Sequence, residues 1–345
     1  MIAALIPFGW DTQWESDYQA VAGAVGGDSR PGRVARVDRG ECDVITQRGV
    51  ERAVSDQLRS QDAVAPVTGD WVVLRDSPDS GTVVDAVLDR RSTIVRKDPA
   101  DAAAQQVLAA NVDVVAITHG LDRPFSLARV ERFLVLAWDS DAEPIVLLTK
   151  ADLSNGNGDP ADVVTTLADA QPDVDVHVTS TVDGVGVDEV LDLLGDGRTI
   201  VLLGESGAGK SSLVNALVGE EIQETGKVRA RDRKGRHTTT ARELIRVPSG
   251  GVLIDTPGIR SIGLWDARPA LDRVFADLLV HAPECRFTDC CHDVEPGCAV
   301  RAAVEGGELD RDRYDRYQRL RKELVELEEE REQQTWQRRP RRHRR

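Results

Sequence analysis

Two strings in this 345-residue sequence carry residue types and spacing suited to holding a nucleotide. Gly204-Glu205-Ser206-Gly207-Ala208-Gly209-Lys210-Ser211 fits the pattern GxxxxGK(S/T). In that pattern the glycines let backbone N–H groups approach phosphates, the lysine reaches the β- and γ-phosphates, and the serine hydroxyl serves Mg²⁺. Ser212 follows at the start of the same helix, whose positive dipole end favours an anion. Thr149-Lys150-Ala151-Asp152 suits the base. The Asp152 carboxylate can accept both N1–H and the 2-amino group of guanine, a pair that adenine does not present, so GTP is expected over ATP. Lys150 would lay its stem along the base, and Ser180-Thr181 would supply a backbone contact to the base oxygen. Thr149 replaces the Asn of the usual NKxD motif and removes the amide that helps brace the site.

The remaining chemistry lies downstream. Asp255 ends the apolar run VLID, where an acid can hold magnesium through water, and the Gly258 N–H can sense the γ-phosphate. RKGRHTTT (233–240) offers a threonine to complete the magnesium shell; Thr239 is favoured, with Thr238 or Thr240 able to serve the same role. Ile259 stands where many GTPases carry a water-orienting Gln, so His237 is the candidate for positioning the attacking water. Lys210, Thr239 and His237 are thus the expected catalytic set. Finally, Cys285, Cys290, His292 and Cys298 follow one another with four, one and five residues between them. Three thiolates and an imidazole suit closed tetrahedral Zn²⁺, with Cys291 able to replace Cys290, and such a metal supplies folding free energy to a small domain.

These residues need positioning elements. From about 32 to 97, short alternating runs separated by Gly, Asp and Ser turns read as four or five strands, enough for a small barrel of the OB type. No aromatics interleave on those strands to stack bases. From about 98, apolar strands (NVDVVAITHG, PIVLLTK, VDVHVTS, TIVLLG, GGVLID) alternate with amphipathic helices (LARVERFLVLAWD, ADVVTTLADA, VDEVLDLLG), which implies a mainly parallel sheet covered on both faces. A cysteine-rich segment, a charged helix at about 308–335 and a basic tail follow. The expected organisation is multidomain α/β: an OB-type RNA-binding barrel over 30–97, a nucleotide domain over 98–266 and a zinc-binding helical domain, with the charged helix and basic tail, over 267–345.

The guanine loop precedes the phosphate loop, the reverse of the usual order. Chain ends in a doubly wound sheet lie close together, so joining them and reopening the chain elsewhere leaves the packing intact. Gly195-Asp196-Gly197-Arg198 is the expected joint, and the sequence reads as a circularly permuted GTPase. Reopening puts the DTPG segment directly before the cysteine cluster, so γ-phosphate contact would shift the next domain through the segment after Trp265.

Composition narrows the classes. No apolar stretch approaches eighteen residues and the opening MIAALIPFGW is no secretory signal, so a cytoplasmic protein without membrane contact is expected. A formal charge of −15 repels nucleic acid, so RNA contact would fall to the basic stretches at 90–97, 227–237 and 338–345. Nothing suggests a dedicated dimer interface, and a monomer is expected.

With these residues in place, the chain resembles the small ribosomal subunit biogenesis GTPase family (RsgA, also called YjeQ). The resemblance runs through PGRVARV, GDWVVL, AANVDVV, TKAD, GESGAGKSSLVNAL, GRHTTT, DTPGIRSIGLW, CRFTDCCH and EPGCAV, nearly the whole chain. It implies an OB domain, a permuted GTPase domain and a zinc domain. It further implies GTP hydrolysis to GDP stimulated by the small ribosomal subunit, contact with that subunit's rRNA, and a role in its late maturation. The alternatives are a GTP-dependent metallochaperone, which would release metal on hydrolysis, and a non-ribosomal RNA-binding GTPase.

Overall fold

Alternating runs in the first hundred residues form β1 (Ser29–Val37), β2 (Glu41–Thr46), β3 (Gly49–Val54), β4 (Trp71–Ser77) and β5 (Gly81–Val87). The structure, a computed structural model, describes residues 2–25, 28–56, 64–97, 105–154, 159–219, 242–255 and 267–338. The five strands pair in the order β1-β2-β3-β5-β4, and β4 returns to β1, closing a barrel of the OB type. All these pairings are antiparallel except β3 with β5. Val34, Val44, Ala53, Val72, Leu74 and Val84 fill the interior together with the Cys42 thiol. Burial pushes that thiol up to about 12, so the fifth cysteine acts as a small apolar side chain.

Period-two alternation on β4 sends Val72 and Leu74 inward and leaves Trp71 and Val73 on the other face. The helix Thr12–Val25 covers that face through Trp14 and Tyr18, aided by Trp10, whose ring meets Trp71 edge-on at 4.8 Å between centroids. No element is expected N-terminal to residue 32 from the alternation pattern; this aromatic cover is a finding of the structure. Several arginines of the barrel face acids. Arg52 pairs with Glu41 (2.9 Å) and Asp43 (2.8 Å), Arg75 with Asp85 (2.7 Å), and Arg30 with Glu51 and Asp76. In the basic stretch at 90–97, Arg90 is committed to buried Asp70 and Arg91 to Asp11.

β6 (Thr93–Lys97) and β7 (Gln105–Ala110) lead on to the second half. There β8 (Val114–Gly120), β9 (Glu143–Thr149), β10 (Asp175–Val178), β11 (Thr199–Leu203) and β13 (Val252–Asp255) run parallel in the order β10-β9-β8-β11-β13. β12 (Glu243–Arg246) adds antiparallel to β13 and also meets β1 at Arg36↔Glu243, so among the described residues barrel and parallel strands share one eleven-stranded sheet. Val114, Ala116, Ile145, Leu147, Ile200 and Leu253 pack with Leu213, Val214 and Leu217 of the helix Lys210–Val218. These strands are near-continuous apolar runs because a parallel sheet is buried on both faces.

One buried side chain ties the pieces. The Arg33 guanidinium donates to the carbonyls of Phe8, Gly69 (3.3 Å) and Asn111 (3.0 Å) and to Thr199 Oγ1 (2.8 Å). Burial lowers its pKa to about 10, which leaves it a cation at neutral pH. At the expected joint, Gly195–Gly197 forms a single 3-10 turn into β11. Gly197 has φ +80°, and a Cβ there would lie 2.6 Å from the Ile6 carbonyl oxygen, so the short join demands glycine.

By packing, the chain divides into two compact units. Met1–Ile94, Val107–Phe125 and Ser140–Ser261 form one, and Val95–Gln106, Ser126–Asp139 and Ile262–Arg345 form the other. The second contains the helices Leu127–Trp138, Arg268–Val274, Ala276–Leu279, Ala299–Glu305 and Arg311–Arg338. The helix Leu127–Trp138 therefore groups with C-terminal elements, although the chain places it between β8 and β9.

Glu131 anchors that helix. Its fully buried carboxylate accepts from Arg313 Nη1 and Arg316 Nε, both at 2.7 Å, and Arg313 also pairs with Asp277 at 2.6 Å. Replacing Glu131 by Ala strands two mostly buried guanidinium groups and is expected to destabilise this unit by about 3 kcal/mol, the usual cost of breaking a buried pair. Denaturant unfolding measures it; a loss under about 0.5 kcal/mol, typical of a surface site, would contradict the reading.

Candidate nucleotide and metal sites

Because β8, β9, β10 and β11 are parallel, the loops leaving their carboxyl ends meet at one edge of the sheet, where open α/β sheets bind ligands. The loop after β11 is the phosphate-loop string, and Lys210–Val218 follows directly. Gly204 has φ +149°, and a Cβ on it would come within 2.3 Å of the Thr118 carbonyl oxygen on β8. Glycine thus lets the loop lie against the neighbouring strand. Gly209, at φ +88°, is the N-cap residue of the helix, which exposes N–H groups and its positive end at the loop. Ser211 and Ser212, in the first turn, are partly buried. Lys210 Nζ donates to the carbonyls of Gly204 and Glu205, both at 2.7 Å.

The loop after β9 begins at Thr149, which is buried. Its hydroxyl donates to the Ala208 carbonyl of the phosphate loop at 2.6 Å and lies 3.3 Å from the His119 carbonyl. A brace between the two loops therefore exists without the usual amide. Lys150 takes a left-handed conformation (φ +58°) and donates its ammonium to Asp122 Oδ2 at 2.6 Å. Asp152, on the short turn Ala151–Leu153, accepts from Ser180 Oγ at 2.8 Å. Ser180 is buried, and its N–H donates to the Val185 carbonyl at 2.9 Å, closing a tight turn; Thr181 follows, partly exposed. Thr149, Lys150, Asp152 and Ser180 are thus drawn together beside Gly204–Gly209. Asp122 is an additional member that the sequence patterns do not flag, since LDR after a strand matches no motif.

The side chains of the other residues expected around the nucleotide fall outside the described ones. Asp255 is the last residue of β13, and only its backbone is described. His237, Thr238, Thr239, Thr240, Gly258, Ile259 and Trp265 lie outside the described residues.

In the second unit, Cys285, Cys290, His292 and Cys298 bring their ligand atoms within 4.8 Å of one another. Cys285 Sγ lies 3.9 Å from Cys298 Sγ and 3.6 Å from His292 Nδ1, and Cys298 Sγ lies 3.5 Å from the same nitrogen. A tetrahedron built on metal–sulfur bonds of about 2.3 Å has edges of about 3.8 Å, so the donor set fits a tetrahedral ion. Backbone N–H groups of Ala299 and Arg301 point at Cys285 Sγ (3.3 Å) and Cys298 Sγ (3.5 Å), suiting thiolates there. Cys291 stays out of the group, its sulfur turned to the Asp289 carbonyl, so Cys290 is the member at that step.

His292 has φ +58°, and its carbonyl accepts from Tyr314 Oη (2.5 Å) and Gln318 Nε2 (2.8 Å), which fastens the knuckle to the long helix. Glu295 closes the turn by accepting from the N–H groups of Cys291 (3.0 Å) and Asp293 (2.9 Å). Burial pushes this carboxyl upward, but the N–H groups of Glu295, Asp293 and Cys291 outweigh it and hold the pKa at about 2. Its contribution is present above the ordinary value of 4.5 and is lost as pH falls toward about 2.

A mainly parallel sheet with a glycine-rich phosphate loop that the chain reaches only after the TKAD loop defines a circularly permuted P-loop GTPase. The chain belongs to the RsgA GTPase family, whose model matches residues 87–265; a second model, described as 50S ribosome-binding GTPase, matches 199–333. A Streptomyces coelicolor protein named small ribosomal subunit biogenesis GTPase RsgA is 47% identical over 312 residues, covering 90% of this chain and 84% of its own. Its Streptomyces avermitilis namesake is 46% identical over 313 residues, covering 90% and 82%. Among solved structures, YjeQ from Thermotoga maritima is similar with a TM-score of 0.64 and 28% identity over 86% of this chain and 99% of that one. YloQ, described as a circularly permuted GTPase, is similar with a TM-score of 0.62 and 27% identity over 87% and 96%.

Proposed function

We propose that this chain hydrolyses GTP to GDP in the service of the small ribosomal subunit, binding that subunit and its rRNA late in maturation and being stimulated by it. The observation that carries the nucleotide part is the Thr149–Ala208 brace, which joins the base-side loop to the phosphate loop. The ribosomal part rests on the names of relatives 46–47% identical over most of the chain. In this reading Gly204–Ser212 hold the phosphates, Thr149, Lys150, Asp152, Ser180 and Thr181 the guanine, and Ser211, Thr239 and Asp255 the Mg²⁺. Zn²⁺ sits in the Cys285, Cys290, His292, Cys298 group in a structural role.

The working organisation remains barrel (30–97), permuted nucleotide domain (98–266) and zinc domain (267–345), acting as a cytoplasmic monomer. Among the described helices, none is long and apolar enough to cross a membrane. Since Arg90, Arg91 and several barrel arginines are ion-paired, rRNA contact falls mainly to the basic segments 227–237 and 338–345. Nucleotide state reaches the zinc domain through the segment after Trp265 in this reading, so a flexible insert there should uncouple nucleotide state from partner binding, and unchanged coupling would count against it.

GTP turnover with purified small or large ribosomal subunits tests the proposal. Selective stimulation by small subunits is expected; indifference, or equal stimulation by large subunits, would overturn it. His237 is proposed to position the attacking water, so Ala in its place should cut turnover by about a hundredfold and leave GTP binding nearly intact. Equal loss of both would assign it a structural role.

A further inference from the structure

The outer face of the phosphate loop is tied down carbonyl by carbonyl. Lys210 takes those of Gly204 and Glu205, and Thr149 takes that of Ala208. The two between belong to a residue no motif marks: Arg123 donates from Nη1 to the Ser206 carbonyl (3.4 Å) and from Nη2 to the Gly207 carbonyl (3.2 Å), and it also lies 3.7 Å from the Glu205 carboxylate. Asp122 precedes it. One oxygen of that carboxylate receives Lys150 Nζ at 2.6 Å and the other receives Arg123 Nε at 3.3 Å. A single carboxylate therefore lies between a cation aimed at the base side of the site and a cation aimed at the phosphate side.

Gly120 makes the arrangement possible. A Cβ there would stand 2.6 Å from Asp122 Oδ1 and 3.6 Å from both the Lys150 stem and the Ala208 Cα. Burial pushes the Asp122 carboxyl upward, but Lys150 and Arg123 outweigh it and hold its pKa below the usual range, so it is ionised at neutral pH.

Peptide geometry gives this contact an electrostatic consequence. The carbonyl of Ser206 shares a peptide unit with the Gly207 N–H, and that of Gly207 with the Ala208 N–H. A guanidinium donating to those oxygens polarises both units and strengthens the opposite N–H groups as donors. In a loop of this kind those N–H groups are the ones that cradle phosphate.

We infer that Asp122 and Arg123 are positioning residues for the nucleotide: Arg123 holds and polarises the phosphate loop, while Asp122 holds Lys150 for the base and Arg123 for the loop. This rests on the guanine-nucleotide reading of the site and adds two residues to it. The pair also explains how the base and phosphate halves stay in register without the usual Asn, since Asp122–Arg123 runs parallel to the Thr149 brace.

The experiment titrates the full chain with GDP, GTP, ADP and guanosine. For the unaltered chain, indifference between GDP and ADP would sink the guanine reading, and the variants test the positioning pair independently of it. Arg123→Ala should weaken GDP and GTP by about tenfold, the scale of one weak charge-assisted hydrogen bond, and guanosine by less than about twofold, because its effect runs through the phosphates. Arg123→Lys should recover part of the loss. Asp122→Asn should weaken all three ligands, guanosine included, because it releases Lys150. GDP binding to Arg123→Ala within about twofold of the unaltered chain would overturn the inference. So would an equal loss of GDP and guanosine, which would mean general damage to the site.

Discussion

Asp152→Asn is expected to lower GTP affinity by about a thousandfold, the cost of two hydrogen bonds to a charged acceptor. Two donors of guanine would meet a side chain that has exchanged an acceptor oxygen for a donor amide. Ser180 decides which way that amide turns. Its hydroxyl lies 2.8 Å from Asp152 Oδ1 and 3.3 Å from Asp183 Oδ2, so it stays with the nearer partner and would take the Asn carbonyl, leaving the NH₂ for the base. A base with a carbonyl at position 2 accepts from that NH₂, so xanthosine triphosphate should gain where GTP loses. Because Asn keeps the size of Asp and the Ser180 bond survives, the turn at 180–185 stays closed. Parallel titrations with the two nucleotides measure the exchange. GTP affinity within about tenfold of the unaltered chain would place guanine recognition elsewhere.

Why that candidate site stands out in the sequence follows from what parallel sheets demand. Buried strands such as IVLLT and TIVLL must be apolar throughout, and a loop that touches phosphate must be rich in glycine, so both stand out locally. Inverted motif order exposed the permutation because motif order is a one-dimensional property. The cysteine and histidine spacing was equally local. Side chains whose role is set by a distant partner were not legible. Arg33 sits in a strand where a polar residue normally faces water, yet it is buried because four segments offer it acceptors. Glu131 reads as the polar face of a helix, and only Arg313 and Arg316, more than 180 residues on, explain its burial. Thr149 reads as a lost amide, and the recovery of the brace by a hydroxyl depends on how closely Ala208 approaches. The four residues of β12 are too few for a periodic signal.

Metal removal should have the larger structural effect. The stretch from Cys285 to Cys298 holds no helix or strand of its own: a short 3-10 turn, Ala282–Glu284, ends just before it and a helix starts only at Ala299, and its exposed Phe287 and Val294 show how little apolar surface it buries for itself. Its geometry depends on four donors converging, on Glu295 closing the turn, and on Tyr314 and Gln318 holding the His292 carbonyl. Structural zinc contributes on the order of 10 kcal/mol at neutral pH in small domains, more than the other local contacts can replace.

Chelation, or Cys285→Ser, should therefore take bound zinc from about one per chain to near zero. It should also abolish the cooperative melting of this unit and leave GDP binding by the first unit within a few-fold of its starting value. With thiolates and a neutral imidazole as the proposed ligands, lowering pH should release the metal as protons compete for them. Cys291→Ser is the control, since that sulfur points to the Asp289 carbonyl and should be dispensable. Metal analysis beside calorimetry reads all of these together. A metal-free chain that kept its second transition would show that the ion is a passenger, because the four-donor cluster would then be holding its shape through protein contacts alone.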